Sequence, residues 1–227
     1  MCPGVTDSGA VDDEQMRDVT DPQTRAGALN AAAAVVRRGG LVVMPTDTVY
    51  GIGADAFSPT GVAALLAAKG RGRGQPPPVL IADARAVLGL AREVSADAQA
   101  LTEAFWPGPL TLVVTAQPGL TWDLGDTGGT VALRVPDHDV ARALLQRTGP
   151  MAVSSANLSG APPATTADDA RAQLGGRAEV YLDAGPTPGD APSTIVDART
   201  LRILRHGVLD LAALREVADV VDEEDSR

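Results

Sequence analysis

One lysine, one cysteine, two histidines and few aromatic residues mark this chain of 227 residues by what it lacks. The other 18 of its 19 basic residues are arginine, which with abundant Ala and Gly fits GC-rich coding sequence. The retained lysine, Lys69, is either a chance survivor on the surface or a position that needs a compact, rotatable point charge, which arginine cannot imitate. The single Cys2 cannot close an internal disulfide or build a cysteine metal cluster, which fits a reducing cytoplasm. No stretch approaches about twenty uninterrupted apolar residues, and no basic region leads into an apolar run at the N-terminus. Neither a membrane span nor a secretion signal is predicted. G-x-S-x-G, S-x-x-K and H-E-x-x-H are all missing, so covalent serine and zinc catalysis are not expected. The phosphate-loop pattern is missing too, because Lys69 is followed by Gly70 and no such loop precedes it.

The net charge of −10 argues against a surface that grips nucleic acid throughout, since phosphate neutralisation supplies most of that affinity. The charge is uneven. Acidic residues crowd both ends (Asp12, Asp13, Glu14; Asp222, Glu223, Glu224, Asp225), while Arg71 and Arg73 stand together without acidic neighbours. A small anionic ligand in a local basic pocket suits this pattern better than a long polyanion over a broad face.

Hydrophobic content of 44% suffices for a sizeable core, built from Val, Leu, Ile and Ala because aromatics make up only 3%. The length fits one large domain or one domain with a small appendage. Residues 1–21 are polar and acidic and read as a disordered leader. A helix starts at Pro22, capped by Asp21, and ends at Gly39-Gly40. Further helices are predicted at 59–68 (Ser58 as N-cap, Gly70 as stop), 83–91, 95–105, 137–148, 166–174 and 208–219. Short strands are predicted at 41–44, 78–82, 110–116, 131–135, 151–154, 179–183, 193–197 and 201–205. The segment after Pro45 reads as a turn dense in hydroxyls and glycines. Helices and short apolar strands intermix without a repeat, which predicts an α/β (α+β) domain with a mixed sheet.

Polar residues at strand ends are the candidates for chemistry. Thr46, Asp47 and Thr48 leave a buried strand and either contact a ligand or cap their own turn. Gly51, Gly53 and Ala56 match G-x-G-x-x-A after a strand. The acidic residue expected about twenty positions later is replaced by the Lys69 region, which disfavours a dinucleotide site. Lys69, Arg71 and Arg73 alternate with glycines, giving either an anion cradle or a solvated basic loop. Ser155 and Asn157 close a strand and either face a ligand together or form a turn. Arg134 is a charge inside an apolar strand pattern, so it either faces solvent or meets an anion. Ser193, Thr194 and Arg205 stand at two further strand boundaries, and His206 reads as a surface or capping residue.

Taken in order, PTDTVYGIGADA, KGRGR, WPGPLT, VALRVP, SSANLSG, STIVD and LRHG resemble the YrdC-like threonylcarbamoyl-AMP synthases over about residues 25–210. The resemblance implies an open, twisted mixed sheet with flanking helices and a concave, locally basic active-site face. It implies an enzyme that condenses L-threonine, bicarbonate or CO2 and ATP into threonylcarbamoyl-AMP and pyrophosphate. Mg²⁺ would arrive on the triphosphate, with no metal ligand assigned to protein side chains. Partner proteins would then pass the threonylcarbamoyl group to the tRNA adenosine beside the anticodon, with at most weak direct tRNA binding here. Lys69 and Arg71 would be catalytic and, with Ser155 and Asn157, hold the phosphates and adenylate. Arg205 would reach the nucleotide, and Thr46, Thr130, Arg134 and Ser193 would surround the threonine. The implied organisation is a leader (1–21), a catalytic domain (22–210) and a terminal helix with an acidic tail (211–227), in the short, single-domain, cytoplasmic form.

Two departures stand out. The family's H-P-L-I-V-H stretch is Gln75-Pro76-Pro77-Pro78-Val79-Leu80 here, with no histidine, and His206 replaces the usual proline after the last strand's arginine. The absent histidine keeps open a hydrolase or carbamoyl-transfer domain of the same fold. The competing functional class is an RNA-binding or ribosome-assembly module on the same face, against which the acidic charge and scarce aromatics count.

Overall fold

Ten short strands pair into a single mixed sheet in a computed structural model that describes residues 15–222. In chain order they are β1 (Met16–Asp18), β2 (Val42–Met44), β3 (Gly51–Asp55), β4 (Val79–Leu80), β5 (Leu110–Thr115), β6 (Thr130–Arg134), β7 (Met151–Ser155), β8 (Val180–Asp183), β9 (Thr194–Asp197) and β10 (Arg202–Arg205). The spatial order is β1-β8-β2-β3-β7-β4-β6-β5-β9-β10. The helices are α1 (Pro22–Arg37), α2 (Pro59–Ala68), α3 (Val87–Leu90), α4 (Ala96–Phe105), α5 (Asp139–Thr148), α6 (Ala167–Leu174) and α7 (Leu211–Arg215).

Local chemistry fixes the helix ends. Asp21 accepts from the Gln23 amide at 2.8 Å to start α1, and Pro22 occupies the first turn, where no amide hydrogen is needed. Ser58 does the same for α2 through the Gly61 amide at 3.1 Å. That helix stops at Lys69, where Gly70 takes a positive φ of 61°.

The two sheet faces are covered unequally. On one face, α2, α4 and α6 pack on alternating residues such as Ile52, Leu112, Leu133 and Val196. On the other, α1 and α5 cover Val42, Met44, Leu80, Met151, Val153, Val180 and Leu182. No residue of β5, β6, β9 or β10 belongs to this second cluster. The alternation along LTLVVT and TVALR puts Thr111, Thr130 and Arg134 on that uncovered side.

Three expectations are corrected. Met16–Asp18, inside the predicted leader, pairs in parallel with β8, while residues 1–14 lie outside the described part. The predicted terminal helix is only Leu211–Arg215; the chain then returns beside β10, where the Ile203 amide donates to the Val221 carbonyl at 3.0 Å. The predicted turn after Pro45 contains β3, which lies between β2 and β7. Glycines depress strand propensity, so the pairing on both sides overrides the local signal. They are needed there because Val153 of β7 lies across them. A Cβ at Gly51 would sit 2.6 Å from Val153 Cγ1, and one at Gly53 would sit 2.9 Å from Cγ2. Val153 is stiff at χ1 and cannot swing aside. Gly53→Ala is therefore expected to destabilise the fold by about 1–3 kcal/mol through overpacking. That lowers the melting temperature by roughly 2–12 °C; an unchanged melting curve contradicts this account.

Candidate active site

Where the helices leave the sheet uncovered, a cavity of about 170 Å³ opens. Its wall carries the hydroxyls of Thr46, Thr48, Thr111, Ser154, Ser155 and Ser193, three guanidinium groups (Arg71, Arg134, Arg205) and an apolar side that includes Val49, Leu80 and Val153.

Arg134 forms the floor. Its Nε donates to the Gly108 carbonyl at 3.0 Å, Nη1 to Thr48 Oγ1 at 3.0 Å and Nη2 to Asp47 Oδ1 at 2.6 Å. The Arg134 and Asp47 side chains are only 6% and 13% exposed. The charge in an apolar strand is thus buried and paired, and burial still holds its pKa below the usual arginine value despite Asp47. Three of five N–H groups are engaged, leaving two for a ligand.

Thr46 both caps its turn and lines the cavity. Its hydroxyl donates to the Val49 carbonyl at 2.6 Å and accepts from the Thr48 amide at 3.1 Å. Thr48 Oγ1 lies 3.0 Å away and must donate to it, because the one Thr46 proton is committed; Thr46 can therefore accept from a ligand only where the Thr48 hydroxyl turns away.

Arg205 reaches the cavity through a β-bulge. Ile203 pairs with Val196, yet Arg205 pairs with Ile195, so Leu204 is the extra residue. In regular register Arg205 would share the core face with Ile203; the bulge turns it to the other side. There its Nη2 donates to Ser193 Oγ at 3.0 Å and to the Ser193 carbonyl at 2.8 Å. Gly207 closes the turn, because a Cβ there would run into the Pro192 carbonyl and the Ser193 backbone. Burial, then Arg134 and Arg71, lower the Arg205 pKa, as expected where three cations share one cavity.

The three cations of KGRGR part company. Arg71 lines the cavity and donates to Ser154 Oγ at 3.2 Å. Arg73 turns outward to Asp123 at 2.8 Å and Asp126 at 3.5 Å. Lys69, 2% exposed, points inward and lies behind the cavity wall. Its ammonium donates to Ser155 O at 2.6 Å, to Asn157 Oδ1 at 2.9 Å and to the Asn157 carbonyl. Burial first, and Arg71 second, lower its pKa to about 8. All three protons are held by the Ser155–Asn157 turn, and Ser159 Oγ bonds back to the Lys69 carbonyl at 2.6 Å. A lone lysine suits this place, because a tetrahedral head can serve three converging oxygens and a planar fork cannot.

Of the residues singled out from sequence, Thr46, Arg71, Arg134, Ser155, Ser193 and Arg205 thus meet around one cavity. Lys69, Asn157 and Thr130 do not line it. Asn157 is buried and bonds the Leu158 and Ala161 carbonyls at 3.0 and 2.6 Å. Thr130 opens β6, about 13 Å from Arg134 on the same face, with its hydroxyl on the Thr127 carbonyl at 2.8 Å. A residue so far from Arg134 does not share a small carboxylate with it. Leu80, at the end of the stretch lacking histidine, supplies apolar wall instead. Thr111 is a further lining residue, to which the sequence reading gives no role; its signals are its place at the end of WPGPLT and a hydroxyl at a cavity-side position of the strand LTLVVT. Among the described residues, no group of three or more His, Cys, Asp or Glu is placed to hold a metal ion, and no helix is long and apolar enough to cross a membrane.

The Sua5_yciO_yrdC family, described as Telomere recombination, matches residues 34–207. The chain belongs to this family. A Mycobacterium leprae relative, provisionally named threonylcarbamoyl-AMP synthase, is 55% identical over 206 residues, covering 90% of this chain and 94% of its own. The threonylcarbamoyl-AMP synthase of Vibrio cholerae is 35% identical over 183 residues, covering 79% of this chain and 97% of its own. Among solved structures, Pyrococcus abyssi Sua5 complexed with L-threonine superposes with a TM-score of 0.86 at 33% identity, over 91% of this chain and 62% of that one. This Sua5-family chain therefore spans about three-fifths of the archaeal protein. The expected twisted mixed sheet with flanking helices agrees with that fold.

Proposed function

We propose that this protein is a threonylcarbamoyl-AMP synthase, forming threonylcarbamoyl-AMP and pyrophosphate from L-threonine, bicarbonate or CO2, and ATP. The observation that carries the reading is the cavity itself. Three guanidinium groups and six hydroxyls converge there, and the one carboxylate paired with them, Asp47, neutralises only Arg134. Such a site holds polyanions, and its lining carries no His, Asp or Glu to activate a hydroxyl for a covalent intermediate. The relatives bearing the synthase name and the threonine-bound Sua5 structure support the same choice.

The threonine amine adds to CO2 with loss of a proton, or displaces water from bicarbonate, to give a carbamate, and a carbamate oxygen then attacks the α-phosphate of ATP in line, expelling pyrophosphate. The free N–H groups of Arg134, with Ser193, hold the carboxylate end, while the Thr46–Thr48 hydroxyl pair borders the amine, which Thr46 accepts from as the Thr48 hydroxyl turns away. Arg71, Ser155 and Arg205 take the phosphates and adenylate. Catalysis is positioning and charge neutralisation. Lys69 and Asn157 act from behind, by fixing the Ser155 turn. The enclosed volume is small against the roughly 300–1,000 Å³ of drug-sized sites, so the nucleotide extends past the rim. The cavity wall carries no free carboxylate, so magnesium would ride on the triphosphate of the substrate.

The catalytic unit in this reading extends beyond the expected 22–210 to take in β1 and the return of the chain beside β10; it acts in the cytoplasm, with partner proteins carrying the product's threonylcarbamoyl group to tRNA. The test is pyrophosphate release measured with each substrate omitted in turn. Release should require threonine, bicarbonate and ATP together; an equal rate without threonine contradicts the proposal.

A further inference from the structure

Thr111 closes the WPGPLT motif but received no role from the sequence, and it is almost completely buried in the middle of the cavity wall. Because Leu112 pairs with Leu133 across β5 and β6, Thr111 stands next to Arg134 in the same ladder. On its other side β5 runs parallel to β9, and Thr111 Oγ1 lies 2.8 Å from Ser193 Oγ. The hydroxyl is thus set between the two arginine systems, Arg134 on one flank and Ser193 with Arg205 on the other.

A count of protons gives this pair a definite chemistry. Arg205 is a donor only, so its 3.0 Å contact makes Ser193 Oγ an acceptor. Thr111 and Ser193 own two hydroxyl protons, and one is consumed in the bond between them. Thr111 Oγ1 has no other hydrogen-bond partner among the described residues, and neither does Ser193 Oγ beyond Thr111 and Arg205. Whichever way the shared bond runs, one proton is left over, and both oxygens border the cavity. Arg205 polarises the pair toward donation, since its positive charge strengthens the remaining O–H as a donor.

We propose that Thr111 and Ser193 act as a coupled donor, presenting one hydroxyl proton to an anionic oxygen of the amino-acid substrate beside Arg134. That oxygen belongs to the carboxylate or to the carbamate formed from the amine. Thr111 is accordingly a substrate-positioning residue, and its hydroxyl rather than its methyl group carries the role. The identification of the ligand as threonine rests on the function proposed above.

The test compares wild type, Thr111→Val and Thr111→Ser. Wild-type adenylate formation with threonine first checks the function itself. Thr111→Val keeps the side-chain shape and removes the donor. It should raise the KM for threonine roughly 10- to 100-fold, as for a lost hydrogen bond to a charged group, with the KM for ATP little changed. Thr111→Ser should stay within about threefold of wild type. Calorimetric binding of L-threonine to the three proteins gives the same comparison without turnover, so a wild type that forms no adenylate overturns the function and leaves the donor role measurable. Should Thr111→Val fold poorly, Thr111→Ser beside Ser193→Ala decides: a near-normal threonine affinity in the first and a weakened one in the second supports the pair. Equal affinity in wild type and Thr111→Val overturns the proposal, as does a Thr111→Ser variant as impaired as Thr111→Val.

Discussion

Replacing Arg134 by methionine should remove synthase activity to background and destabilise the protein by about 3–5 kcal/mol. The stability loss arises because Asp47 is left as a buried carboxylate without its partner, at a position where its side chain is only 13% exposed. The Gly108 carbonyl and the Thr48 hydroxyl lose their donors at the same time. The activity loss has a separate cause, since Arg134 lines the cavity and its two uncommitted N–H groups go with the guanidinium. A double variant separates them. Asp47→Leu combined with Arg134→Met replaces the pair by apolar volume and should recover most of the stability, while activity stays lost. Chemical denaturation and pyrophosphate release read the two quantities independently. An Arg134→Met protein as stable as wild type would falsify the buried-pair account, and one that retains turnover would remove Arg134 from the site.

Lys69→Met should be nearly as damaging to turnover, by roughly 100-fold or more, but for a different reason. The ammonium does not border the cavity; it ties together Ser155 O and both oxygens of Asn157. Removing it leaves three acceptors without their common donor, and methionine cannot supply one. The Ser155 hydroxyl and the neighbouring Arg71–Ser154 contact then lose their fixed position. Lys69→Arg is expected to fail as well, because the longer planar group does not fit a fully buried site built for a tetrahedral head. Hydrogen exchange separates positioning from direct phosphate contact. Amide protection over residues 155–159 should fall in Lys69→Met if the lysine acts through the turn. Lost turnover with unchanged protection there would instead place the lysine on the substrate.

Much of this architecture was legible in the chain. The caps at Asp21 and Ser58, the apolar runs of β2, β5, β6 and β7, and the α2 boundaries all follow from local chemistry and appear where expected. What was not legible depends on neighbours distant in sequence. β3 hides behind its glycines because the reason for them, Val153, lies about a hundred residues away. The edge strand at Met16–Asp18 exists only through its pairing with β8. Arg205 was singled out by its place at a strand end, yet its direction is set by a bulge that no local pattern announces.

The site divides along the same line. Polar residues at strand ends could be named, because an apolar run that stops at a hydroxyl or a charge exposes that group at the sheet edge. Which of them share a cavity depends on strand order, on distance along a strand, which separates Arg134 from Thr130 in β6, and on the end of α2, after which Lys69 turns inward and Arg71 lines the cavity. Thr111 escaped notice because a single threonine inside a strand is ordinary strand composition. Only the pairing of β5 with β6 and β9 makes it the neighbour of Arg134 and Ser193.

The most direct test of the central claim is incubation of the protein with ATP, bicarbonate and each amino acid in turn, followed by mass spectrometry of the nucleotide products. L-Threonine should give an adenylate with the mass of threonylcarbamoyl-AMP, and omission of bicarbonate should abolish it. An adenylate formed equally well with other amino acids, or none with threonine from a folded protein, would contradict the account.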